Sequence, residues 1–330
     1  MLDLNRMQNV SLSARPFVQR LLGLGVLMPN YNLPPRVRIH TEGSDKLPNE
    51  PVIFAMNHTD RFNYWPFQYW LWRNAGRYTA TWVKGKYYEN PSLGRFMELT
   101  NNIPTPSRGY VLTKDFAMTV GRPPSDSEYR ALRELANGES GQTSADTSEL
   151  PGAILSTPRN ILGRDYDPRV ESYGACIDAL MDAMKARFVE LNAECFEKQL
   201  DLLVFPEGTR SRRLSRGHIG VAQAALRFRK TIVPVGCSGS DRVYPGWSPL
   251  AKGGTITYRI GEPITYSDMV DSHLPEGVDP FEAGSEPEHR AKLQAVVDRV
   301  MARINELVDP EYRFADDLGS DGVTGAHRFV

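Results

Sequence analysis

Two short blocks hold the residues whose types and spacing could do chemistry. Asn57-His58-Thr59-Asp60-Arg61-Phe62-Asn63 carries an imidazole, a carboxylate two residues on and a carboxamide five residues on. Phe205-Pro206-Glu207-Gly208-Thr209-Arg210-Ser211-Arg212 carries a carboxylate, a hydroxyl and guanidinium groups. Histidine titrates near neutral pH, so it can take a proton from a hydroxyl and return it within one turnover. A group that accepts from its second ring nitrogen fixes the tautomer. Asn63 offers a carbonyl oxygen without charge for that purpose, and Asp60 offers charge. Arginine presents planar, paired donors suited to phosphate.

Each block follows an apolar run, and those runs must do the positioning. Val52 to Met56 precedes the first, and Leu202-Leu203-Val204-Phe205 precedes the second, as expected of buried strands. Pro206 cannot continue a ladder and Gly208 can take backbone angles closed to other residues, so the second strand ends in a sharp turn. Val37 to His40 reads as an edge or half-buried strand, Tyr78 to Val83 as a third strand and Thr255 to Ile260 as a further one. The apolar spacing from Tyr173 to Cys195 predicts an amphipathic helix. Another helix is expected through Arg229. Ser285 with Glu288 is a capping-box signature that opens a helix carrying Leu293, Val296, Val297, Val300, Ile304 and Leu307 on one face. Pro66 suits the first turn of a helix beginning near Asn63. That helix carries the densest aromatic patch in the chain, Tyr64 to Trp72, for which core packing and a lipid-facing groove are both open readings. Strands alternating with helices argue an α/β fold.

The two blocks together resemble the glycerolipid acyltransferases, the family that includes 1-acylglycerol-3-phosphate acyltransferase. Its members share an Asn-His-x4-Asp block, a Pro-x-x-Arg-like block, Phe-Pro-Glu-Gly-Thr-Arg-Ser and a Val-Pro-Val strand. The third is intact here, and the fourth is present as Ile232-Val233-Pro234-Val235-Gly236. Ile103-Pro104-Thr105-Pro106-Ser107-Arg108 matches the second. The first departs: Asn63 stands at the aspartate position. The resemblance covers roughly residues 36 to 265. It implies one mixed, largely parallel sheet flanked by helices, as in glycerol-3-phosphate acyltransferases. His58 is then the expected general base, assisted by Asn63 or Asp60. Lys84, Arg108 and Arg210 are expected to hold the phosphate of an acceptor, with Glu207, Gly208 and Thr209 in the acceptor pocket. The implied reaction moves an acyl group from acyl-CoA or acyl carrier protein to a lysophospholipid-like hydroxyl. No cofactor or metal is required. Two alternatives stay open: a lipid- or acyl-binding protein that has lost the charged dyad, and a transferase for a non-glycerolipid acceptor.

Composition sets the outer bounds. A chain of 330 residues, 41% hydrophobic, can bury a sizeable core. A net charge of -1 gives no global field for nucleic acid. Cys176, Cys195 and Cys237 are scattered without metal-ligand spacing, which fits a reducing, cytoplasmic setting. Residues 1–35 are expected to be helical: Leu21 to Met28 is too short to span a bilayer, Arg15 and Arg20 lie beside Phe17, Leu21 and Leu22, and a membrane-interfacial helix and a helix packed on its own domain are both open readings. The opening residues do not read as a signal peptide. Residues 36–310 are expected to form the acyltransferase domain, with a polar, turn-rich insertion at about 111–170. The tail, 311–330, is expected to be flexible.

Overall fold

The computed structural model describes residues 1–137, 147–282, 286–316 and 318. The chain divides into two compact units, each discontinuous in sequence. One gathers residues 1–11 and 83–191, the other residues 12–82 and those described from 192 onward.

The strands are β1 Val37–Glu42, β2 Ile53–Met56, β3 Thr79–Lys84, β4 Asn102–Thr105, β5 Arg159–Ile161, β6 Arg164–Tyr166, β7 Asp201–Val204, β8 Ile232–Ser238 and β9 Gly254–Ile260. Seven form one sheet in the order β1-β9-β8-β2-β7-β3-β4, while β5 and β6 make a separate antiparallel hairpin. The pairings β1 with β9, β2 with β7, β2 with β8 and β3 with β7 are parallel, and β8 with β9 is antiparallel. The expected mixed, largely parallel sheet is thus present. Strand β2 lies between β8 and β7, and all four of its residues are buried, which is why it reads as an unbroken apolar run. Strand β1 is the edge, and its alternating burial matches the alternation seen in its sequence.

In the larger unit, Ala55 pairs with Val204 and also with Pro234. The three parallel strands β7, β2 and β8 therefore run level. The turn after β2 and the turn after β7 leave the sheet at one edge.

The aromatic patch after β2 becomes the helix Trp65–Ala75, with Pro66 in its first turn and Gly76 closing it in the left-handed region. Core packing accounts for much of the patch. Phe67 and Leu71 are fully buried, and the Phe67 ring lies 5.1 Å from Phe54 and 5.2 Å from Tyr258. Trp65, Tyr69 and Trp72 line a small cavity together with Leu22, Gly23 and Leu27. Gly23 permits this closeness, since a Cβ there would sit 2.7 Å from the Trp72 ring.

The long C-terminal helix is Pro287–Leu307, with Leu293, Val296, Val297, Val300 and Ile304 buried. Glu286 occupies its N-cap position and Pro287 its first turn; Ser285 of the anticipated capping box lies outside the described residues. The helix lies close against β8. A Cβ at Gly236 would approach the Leu307 backbone to 2.7 Å.

The other unit contains the stretch read as an insertion. There the helices Arg108–Val120 and Asp126–Asn137 bury Val111, Leu112, Phe116 and Leu132. Asp115 is buried between Arg159, which pairs with it through two hydrogen bonds of 2.7 and 2.8 Å, and the Tyr173 hydroxyl at 2.9 Å. The turn-rich segment 138–144 lies outside the described residues. At the start of the stretch read as a tail, Tyr312 is fully buried and its hydroxyl donates to Asp241 at 2.6 Å. Residues 317 and 319–330 of that stretch lie outside the described residues. Among the described residues no helix is long and apolar enough to cross a membrane.

Candidate active site

The two blocks, 149 residues apart in sequence, meet at the end of β2 and β7. The backbone N–H of His58 donates to Glu207 Oε1 at 3.0 Å, and the His58 carbonyl accepts from Ser211 N at 2.9 Å. The imidazole stacks on Phe205, with ring centroids 4.0 Å apart and planes 17° from parallel. Ligands of open α/β sheets bind outside the C-terminal ends of parallel strands, and this is such an edge.

Asn57 fixes where β2 stops. Its side-chain amide donates to the Cys237 carbonyl at 2.9 Å, and its Oδ1 accepts from Cys237 N at 2.7 Å. The pair of bonds reproduces a strand-pairing contact with β8 by means of a side chain. His58 therefore leaves the sheet from a fixed point.

Glu207 holds the facing turn. Besides His58 N on Oε1, its Oε2 accepts from Ser215 N at 2.9 Å and from Ser215 Oγ at 3.1 Å. Both oxygens of this buried carboxylate thus accept from the protein itself. Gly208 adopts φ +62°, and a Cβ there would also meet His218 Cδ2 at 3.0 Å. The Gly208 N–H closes the turn onto the Phe205 carbonyl at 3.0 Å, and His218 N donates to the Pro206 carbonyl at 2.8 Å.

Of the two side chains expected to assist the histidine, the structure brings Asn63 to it. Asn63 Oδ1 lies 3.2 Å from His58 Nδ1, and Asn63 is fully buried. Its amide orientation is set by its surroundings. Nδ2 is 2.7 Å from the Asn57 carbonyl oxygen, which can only accept, so the NH2 must face that carbonyl and the oxygen must face the imidazole. That orientation favours a proton on Nδ1 in the neutral ring. Tyr258 completes the setting by donating its hydroxyl to the Asn63 carbonyl at 2.6 Å.

Asp60 does different work. Its Oδ1 accepts from Phe62 N at 2.8 Å and its Oδ2 from Thr59 Oγ1 at 3.0 Å, which shapes the turn before the helix Trp65–Ala75. Burial pushes its carboxyl above the ordinary aspartate range, against the lowering effect of the hydroxyls and amide around it.

The cationic residues divide. Arg210 is exposed just after the Glu207 turn, with Thr209 half-buried beside it. Lys84 and Arg108 belong to the other unit. Lys84 ends β3, and Arg108 opens the helix Arg108–Val120. The Arg108 guanidinium donates to the Ala136 carbonyl at 2.6 Å and pairs with Asp178. Among the described residues no cluster of His, Cys, Asp and Glu could hold a metal ion.

Sequence reasoning missed the contributions of Ser215, Tyr258 and the Asn57 side chain. Ser215 and Tyr258 carry no motif, since each matters only because the fold brings it to Glu207 or Asn63. Asn57 is visible in the sequence, but its bond to Cys237 depends on the pairing of β2 with β8.

No family model and no curated protein sequence matches the chain. Among solved structures the chain is similar to the 1-acyl-sn-glycerophosphate acyltransferase PlsC of Thermotoga maritima, with 16% identity and a TM-score of 0.37. That similarity covers 90% of this chain and 77% of the other.

Proposed function

We propose that the protein is an O-acyltransferase that moves a fatty acyl group from an acyl thioester to a hydroxyl of a lysophospholipid-like phosphate acceptor. The observation that carries the reading is the imidazole of His58, held by Asn63 on one ring nitrogen beside the Glu207 turn. The acceptor hydroxyl sits against Nε2, which takes its proton as the oxygen attacks the thioester carbonyl. A C–O bond forms, the C–S bond breaks, and the imidazolium returns the proton to the departing thiolate. No covalent enzyme intermediate and no metal enters the step. Arg210 supplies guanidinium donors for the acceptor's phosphate, which holds hydroxyl and thioester in register.

The acceptor class implies work at a lipid surface, and the N-terminal segment of the same unit supports that. Phe17, Leu21, Leu24 and Met28 recur at helical spacing within residues 17–32 and are exposed, Phe17 by 71% and Leu21 by 57%. No acidic residue occurs between Asp3 and Glu42, whereas Arg15, Arg20, Arg36 and Arg38 do. An apolar stripe bordered by arginines suits an anionic bilayer surface.

The test uses purified protein with fatty acyl-CoA and lysophosphatidic acid, following thiol release and the diacyl product together. Transfer is expected, and His58→Ala should lower it by about 10²–10⁴-fold, the usual contribution of a general base. Transfer that survives His58→Ala would remove the histidine from the mechanism. The neutral Asn63 beside His58 is the feature that favours a non-catalytic, lipid-binding reading. Absence of transfer from either CoA or carrier-protein thioesters, with lipid binding intact, would establish that reading instead.

A further inference from the structure

We infer that the pocket around position 63 is built for a neutral amide and selects against a carboxylate, so that His58 is oriented without a counter-charge. Besides a long contact of Nδ2 with Met56 Sδ at 3.8 Å, Asn63 makes two bonds of opposite sense. It accepts at Oδ1 from the imidazole at 3.2 Å and donates through Nδ2 to the Asn57 carbonyl at 2.7 Å. An aspartate has the same shape but no donor when ionised. Its second oxygen would face a carbonyl oxygen at that short distance, two acceptors with no proton between them. The backbone there cannot easily move away. The Asn57 side chain is bonded twice to Cys237, and the Asn63 carbonyl receives the Tyr258 hydroxyl.

The titratable groups packed around this site come from five stretches of the chain. The turn after β2 contributes the His58 imidazole itself, Arg61, whose guanidinium lies 3.7 Å over the Trp247 ring, and Asp60, engaged with Phe62 N and Thr59. The turn after β7 contributes Glu207, engaged with His58 N and Ser215. Strand β8 contributes Cys237 and strand β9 Tyr258; burial pushes both the thiol and the phenol well above their ordinary range. Tyr244 and Asp241, beyond β8, add a buried phenol and a carboxylate.

A protonated aspartate, in contrast, would imitate the amide: its O–H would donate to the Asn57 carbonyl and its other oxygen would accept from Nδ1. The carboxyl introduced by Asn63→Asp should therefore hold its proton well above the ordinary range. A carboxyl whose folded pKa is raised above its unfolded value costs stability as pH rises, so the variant should match the parent near about pH 4 and fall behind toward about pH 8. A thermal midpoint lower by about 1–3 °C at the upper end is the expected reading for a chain of this size.

Asn63 is a positioning residue, and its kinetic role rests on the reading of His58 as base; the measurements on the resting protein do not. Nitrogen-detected NMR of His58 in the wild type should show the Nδ1–H tautomer. Asn63→Ala should give a mixture of tautomers while keeping the fold. Asn63→Asp should show a protonated carboxyl at neutral pH, an imidazole that titrates close to the wild type, and a relative midpoint that falls with pH. The inference is overturned by an Nε2–H tautomer in the wild type. It is equally overturned if the introduced carboxyl is ionised and makes His58 keep its proton to higher pH, with melting curves parallel to the wild type throughout. If the protein transfers no acyl group, the tautomer and the melting series still decide the point.

Discussion

At the scale of residues, the site separates two side chains that its sequence leaves equivalent. Asp60 and Asn63 are both within five positions of His58, and the path of the turn before the helix Trp65–Ala75 decides which one reaches the ring. The carboxylate faces Phe62 N and Thr59, so Asp60→Asn should keep the turn through its carbonyl oxygen and retain turnover within a few-fold. The same change removes a buried carboxyl that is held above its usual range. Such a group costs stability as pH rises, so Asp60→Asn should gain on the wild type in thermal midpoint as pH rises above the ordinary aspartate range of about 4. A collapse of turnover in that variant with the fold intact would return Asp60 to the catalytic set. Glu207→Gln should behave differently. Both Glu207 oxygens accept from N–H groups, and a carboxamide turns its NH2 toward one of those donors. A loss of about 1–3 kcal/mol is expected, read by denaturant unfolding, together with a fall in turnover because His58 loses its backbone anchor.

Elements were more legible than residues. The strands beneath both blocks announce themselves as apolar runs because β2 and β7 are covered on both faces, and β1 announces its edge position by alternation. Strand β4 was not legible: Asn102-Ile103-Pro104-Thr105 contains a proline and spans only four residues. Nor was the short hairpin of β5 and β6. The meeting of the His58 and Glu207 turns depends on β2 lying next to β7, and nothing local in either strand specifies a neighbour so far along the chain. The resemblance to a family supplied that expectation, and pattern alone did not. Close approach of the helix Pro287–Leu307 to β8 is likewise invisible until Gly236 is seen under Leu307. Gly236→Ala should therefore overpack that junction and cost about 1–3 kcal/mol. Parallel thermal melts of the wild type and the variant give the check, and equal midpoints would show that the helix shifts without penalty.

For the whole molecule, the exposed apolar residues and the arginines set an expectation about where it works. Phe17, Leu21, Leu24 and Leu33 are joined on the same unit by Trp247 and Leu250, exposed by 78% and 65%. Asn30 ties the two regions together, donating to the Pro249 carbonyl at 3.0 Å and accepting from Ala251 N at 2.9 Å. Vesicles containing phosphatidylglycerol should bind the protein, with affinity falling as salt rises. Leu21→Asp with Leu24→Asp should lower that affinity by about tenfold or more, since burying even one leucine is worth about 1.5–3 kcal/mol. Equal vesicle binding by wild type and the double variant would move the lipid contact elsewhere.

The amide of Asn57 acts as one more rung of the sheet, and this has a consequence for any mutational survey. A lesion in the Val-Pro-Val strand reaches the imidazole through Cys237, Asn57 and Asn63 without touching a ligand. Substitutions along β8 should therefore appear in kinetic screens as faulty acid–base partners. Judged by kinetics alone, they would be mistaken for the wall of a substrate cavity.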